Sequence, residues 1–130
     1  MGQHDIEVIL MRQLAGHLVV PVLVVNLGMD IVYYNEAAEE ILGLRFAETG
    51  KLSTAEAREH FLVLDADGSA IPPKAGPIYS AMRDKHAHTR DIVLQRVSDG
   101  RQQAMQAVAF PLLAQGDREL GTVCMLWVKP

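Results

Sequence analysis

Five histidines, one cysteine and a short acidic turn are the residues of this 130-residue chain whose types and spacing invite chemistry. His86 and His88 form a His-x-His pair, which on an extended strand sets both imidazoles on one face, the beginning of a zinc site. No carboxylate or third histidine is expected beside them, so no metal is assigned. His4 and His17 fall near or on a first helix, and His60 falls on a short one. Asp65-x-Asp67-Gly68 has the opening spacing of a calcium loop, but Gly76 stands where the bidentate glutamate belongs, so the segment reads as a turn. No serine, threonine or cysteine lies in a nucleophile motif, and no catalytic residue is assigned. The chain is not expected to be an enzyme.

The elements that position these residues follow from hydrophobic period and punctuation. Ile6, Ile9, Leu10, Leu14 and Leu18 recur at steps of three and four, which predicts an amphipathic N-terminal helix over residues 1–18. Val19 to Leu27 and Ile31 to Tyr34 are β-branched and aromatic, an antiparallel hairpin. Asn35 is placed to cap a helix in which Ala37, Ala38, Ile41 and Leu42 form the buried stripe, with Gly43 as its stop. Ser53 and Glu56 make a capping box for a short helix ending near His60. Pro77 suits a first helical position, with Ile78, Ala81 and Met82 lining a helix that ends near Lys85. Asp91 to Val97, Gln102 to Phe110 and Leu120 to Val128 read as a three-stranded antiparallel meander. The sum is an α+β domain: five antiparallel strands, with helices inserted between the second and third.

Composition excludes several functions. The net charge is −4 and the positive residues are scattered, so no basic patch tracks nucleic acid. The longest apolar run, Leu18 to Val25, falls short of the roughly 20 residues of a membrane helix and contains Pro21. A single cysteine, Cys124, supports neither a disulfide framework nor a thiolate cluster, and fits a reducing, cytoplasmic setting.

The segment VLVVNLGMDIVYYNEAAEEILGL, Val22 to Leu44, resembles the PAS domain family: a strand, an amide at the turn, a strand ending in Tyr-x-Asn, then an alanine-bearing helix ending in Leu-Gly. DADGSAIP before a helix, DG between two strands, FPLL, and the final strand with Gly121-x-Val123 agree in order and spacing, so the similarity runs from Leu14 to Val128. The family's common closing Asp-Ile-Thr is replaced by Val128-Lys129-Pro130. This resemblance implies a PAS domain over residues 19–130, with the helix of residues 1–18 for dimerisation and signalling. It implies a cytoplasmic sensory module that takes a small ligand between sheet and helices, relays the change to an effector protein or domain, and pairs with a second copy. The family's haem members hold iron through a histidine on the helix that here spans Pro77 to Lys85 and contains none, which disfavours haem. Flavin photosensors of the LOV type carry an Asn-Cys-Arg-Phe-Leu motif, to which this chain has nothing similar. A small apolar or aromatic ligand is the expectation.

On the PAS pattern, alternation places Val93, Gln95, Met105, Ala107, Ala109, Cys124 and Leu126 on the inner sheet face. Small Ala107 and Ala109 beside soft Met105 leave room for a ligand, with Met82 and Ile78 opposite and Gln95 as the polar contact. Alternatively Phe46, Phe61, Ile78 or Met82 fills the space, and the domain is a ligand-free interaction scaffold. The outer face carries Ile92, Leu94, Val108, Phe110, Val123, Met125 and Trp127, too apolar for open water. With Ile6, Leu10 and Leu14 of the first helix it forms the expected homodimer interface, an intrachain lid being the alternative. A small cone-shaped isomerase or hydratase would use groups such as Tyr33, Tyr34 and Asp91, but that fold puts its helices before most of its strands.

Overall fold

The computed structural model describes residues 19–72 and 74–129. The predicted helix of residues 1–18 lies outside the described residues. Six strands form one antiparallel sheet in the order β2-β1-β6-β5-β4-β3: β1 Val22–Val25, β2 Ile31–Tyr34, β3 Phe61–Asp65, β4 His88–Arg96, β5 Gln102–Ala114 and β6 Arg118–Val128. The expected five strands are corrected to six. The addition is β3, an apolar run between the His60 turn and the Asp67-Gly68 turn, paired along its whole length with β4. Four helices accompany the sheet among the described residues: α1 Glu36–Leu42, α2 Phe46–Thr49, α3 Thr54–Arg58 and α4 Pro77–Asp84. Of these, α2 falls in a stretch whose sequence shows no period. None of the described helices is long and apolar enough to cross a membrane.

Local chemistry accounts for the helix ends. Asn35 caps α1 by accepting the Ala38 amide at 3.0 Å. Gly43 ends α1 in the left-handed region (φ 73°), where a Cβ would press on the Arg96 guanidinium. The Ser53–Glu56 capping box starts α3 as read from the sequence. Pro77 begins α4.

Asn35 does more than cap. Its side chain is buried, and Oδ1 also accepts the Val22 amide (3.0 Å) while Nδ2 donates to the Val20 carbonyl (2.9 Å). One amide therefore joins the entry to β1, the end of β2 and the start of α1. Each edge strand of the sheet carries one further bridge. Ile31 and Leu52 exchange backbone hydrogen bonds of 2.7 and 2.9 Å beside β2, and Asp65 donates to Ser69 at 2.8 Å beside β3.

The main core lies between sheet and helices, built on Leu23, Tyr34, Leu42, Ile92, Met105 and Leu126. A second cluster occupies the opposite face, where buried Val22 and Val123 are packed by Val20, Tyr33, Phe110, Leu112 and Met125. Gly121 sits between them opposite a register shift in β5, with φ 153°, and a Cβ there would collide with the Val25 carbonyl.

Two stability outcomes follow. Asn35→Ala strands the Val22 and Ala38 amides and the Val20 carbonyl, and is expected to cost about 2–4 kcal/mol in chemical denaturation. Gly121→Ala is expected to cost about 1–3 kcal/mol through the backbone conformation and the collision. A loss below 0.5 kcal/mol for Asn35→Ala would contradict the first.

Candidate functional site

The inner face of the sheet and α4 border a half-open chamber of about 170 Å³. Ile78 of α4 closes one side, while Leu23, Ile92, Ala107, Cys124 and Leu126 form the sheet wall. A wider cleft of about 480 Å³ shares Met29, Ile31, Phe61, Val63, Gly76 and Ile78 with it and is lined further on by Ala57, Arg58 and Ile71. Chamber and cleft thus form one apolar recess with Arg58 the charged group at its outer part. The inner volume is close to that of an engineered apolar cavity, about 150 Å³, that takes up benzene.

The turn Asn26–Asp30 brings Met29 to this recess. Asn26 Oδ1 accepts the Gly28 and Asp30 amides at 3.0 and 2.9 Å, and Met29 takes a left-handed φ of 68°. Cys124, fully enclosed, has its thiol pushed up to about 12 by burial, so it meets a ligand as a neutral, weakly polar surface. Tyr34 is also buried. Its hydroxyl lies 2.6 Å from Thr49 Oγ1, and desolvation raises its pKa. Phe46 stands edge-on to both Tyr33 and Tyr34, with centroids 5.3 and 5.2 Å away, rather than in the chamber.

Of the residues picked for the ligand, Ile78, Ala107, Cys124 and Leu126 line the chamber. Met105 and Ala109 are fully buried on the same face but outside the lining, and Met82 is half-buried on α4. Val93 and Gln95 require correction. The register Ile92↔Met105 and Leu94↔Gln103 turns the even positions of β4 inward, so Ile92 and Leu94 belong to the inner face. Val93 lies on the outer face, and so does Gln95, whose side chain accepts from Gln102 Nε2 at 2.8 Å. The reason is side-chain size and polarity: this register buries isoleucine and leucine and spares the glutamine amide a dry environment. Leu23, Met29, Ile31 and Val63 were missed. The signal for Val63 was the apolar run Phe61 to Leu64 flanked by turns, while Met29 depended on a backbone conformation that its residue type does not announce.

On the outer face, Phe110 and Met125 pack on Val22 and Val123, and Trp127 remains 39% exposed. Ile6, Leu10 and Leu14 lie outside the described residues. Tyr34 and Asp91 are not brought together: Tyr34 faces the inner core, and Asp91, on the opposite face, pairs with Lys129 at 2.8 Å.

The histidine pair has a neighbour that spacing did not reveal. Asp84 Oδ2 lies 2.8 Å from His88 Nε2, which corrects the expectation that no carboxylate stands beside His86 and His88. Arg83 hydrogen bonds hold the Asp84 carboxyl down at about 2, so it is ionised at any physiological pH.

No curated protein sequence matches the chain. Solved structures do. The PAS domain of nitrogen regulation protein NR(II) from Vibrio parahaemolyticus is 17% identical with a TM-score of 0.65, over 92% of this chain and 98% of that one. The PAS domain of Bordetella pertussis BvgS is 14% identical with a TM-score of 0.71, over 97% and 88%. The light-state dimer of the fungal blue-light photoreceptor Vivid is 15% identical with a TM-score of 0.61, over 97% and 95%. These likenesses concern the fold. The family described as PAS fold matches residues 16–128, nearly the whole chain, and agrees with the sheet order and the inserted helices. The chain therefore belongs to the PAS fold family.

Proposed function

We propose that this PAS domain is a cytoplasmic sensory module that takes a small apolar or aromatic molecule into the recess between sheet and α4, dimerises, and relays occupancy to an effector protein or domain. The observation that carries the reading is the apolar chamber of about 170 Å³ continuous with its outer cleft. Ala107 at the centre of the sheet wall leaves the space, and Ile78 of α4 borders both volumes, so a ligand touches helix and sheet together. Such a ligand shifts signalling only if it binds two packings of these elements with different affinity. We read the module as non-catalytic; Tyr34 and Asp91, the groups an isomerase or hydratase reading would use, face opposite sides of the sheet. The similar Vivid structure is a dimer, and a PAS neighbour from a nitrogen regulation protein fits a signalling context.

Native mass spectrometry of freshly purified protein tests the ligand. A stoichiometric added mass is expected on the wild type, lost in Ala107→Phe while its far-UV circular dichroism is kept. A wild-type spectrum without added mass, or an equal mass on Ala107→Phe, would overturn ligand sensing in this chamber and favour the ligand-free scaffold.

The dimer rests on the outer face around Phe110, Met125 and Trp127. Trp127→Glu combined with Met125→Glu is expected to reduce the mass in sedimentation from two chains to one. A dimeric variant would remove this face as the interface.

A further inference from the structure

The turn between α4 and β4 gathers three metal-ligating side chains at a distance from the recess lining. Asp84 closes α4, Lys85 reverses the chain in a left-handed conformation (φ 59°, ψ 32°), and His88 opens β4. The His86 and His88 rings stack 4.7 Å apart and 14° from parallel. One ligand atom from each of Asp84, His86 and His88 lies within 4.8 Å of the other two. On a tetrahedral ion with bonds of about 2.1 Å, ligand atoms stand about 3.4 Å apart. Metal binding requires these atoms to close from within 4.8 Å toward that spacing.

The geometry is already that of a shared ion's ligands: His88 Nε2 is closed to solvent and faces Asp84 Oδ2 at 2.8 Å. A cation could take both atoms as ligands in place of this direct pairing. Two imidazoles and a carboxylate suit zinc and its late first-row neighbours, whereas magnesium and calcium favour all-oxygen shells.

We propose that Asp84, His86 and His88 form a binding site for a divalent late first-row transition metal, zinc in the first instance, with its remaining coordination positions open to water. The competitor is Arg83, which forks onto the Asp84 carboxylate through Nε (2.7 Å) and Nη2 (3.1 Å). Lys85, the other neighbouring cation, is drawn toward Glu119 at 3.7 Å. Metal binding requires Arg83 to yield at least one oxygen of Asp84. The bound ion would then tie the end of α4, the helix wall of the recess, to the start of β4.

Isothermal titration of the full chain with zinc chloride alone, in a non-chelating buffer, tests the site. One zinc per chain is expected, with affinity falling about tenfold or more in His86→Ala, His88→Ala and Asp84→Asn. Arg83→Ala, which removes only the competitor, is expected to bind several-fold tighter. The double variant His4→Ala, His17→Ala should bind as the wild type does. Circular dichroism and the metal-free thermal midpoint establish that each variant is folded. Absence of stoichiometric binding would overturn the proposal, as would affinity unchanged in folded His86→Ala and His88→Ala, or binding lost in the His4, His17 variant.

Discussion

One buried amide, the Asn35 side chain, is the constraint on which the sheet and its helices depend. Its oxygen serves the amides of Val22 and Ala38, and its nitrogen serves the Val20 carbonyl. These are backbone groups that a chain entering a strand and a helix at the same buried point would otherwise leave unpaired, each at a cost of about 1–3 kcal/mol. With them paired, β1 sits between β2 and β6, and α1 leaves β2 in one direction only. Leu23, adjacent to this node, then becomes part of the chamber wall.

The chamber is a consequence of how little helix covers a long sheet. Strands β5 and β6 run 13 and 11 residues, while α4 has 8 and the other described helices fewer. Ala107 offers little volume to fill the gap, and the small Cys124 in the same wall adds little more. Protein interiors ordinarily close such gaps at a density like that of organic crystals. Here the apolar gap stays continuous with a cleft bounded by β3 and the segment before α4.

The two faces of the sheet carry different chemistry because alternation separates them. Inward residues make the recess, and outward Phe110, Val123 and Met125 make a second apolar cluster whose rim is Trp127. The α4–β4 turn stands at one end of the sheet, with His88 at an inward position of β4 opposite Ala109. Its chemistry comes from a helix end and a strand start meeting at the left-handed Lys85, so groups two and four residues apart converge.

Much of the fold was legible in the sequence because it was written in local signals. Asn35, the Ser53–Glu56 capping box, Pro77 and the Asp99-Gly100 turn each act through backbone groups within a few residues, so residue type and spacing suffice. The inward placement of Ala107, Cys124 and Leu126 came from the resemblance to the PAS pattern, since β5 and β6 are apolar on both parities. The facing of β4 was not legible, since Ile92, Val93 and Leu94 are apolar on both parities. Only pairing with β5 across the Asp99-Gly100 turn decided that Ile92 and Leu94 go inward and Gln95 outward. Strand β3 carried a local mark, the apolar run Phe61 to Leu64 between turns, but its place in the sheet depended on an edge of β4 being available to pair. The recess is a set of distances between elements, which exist only once tertiary packing has set the angle of α4 against the sheet, whereas the Asp84, His86 and His88 cluster hangs on the left-handed Lys85, a backbone conformation that residue type does not announce.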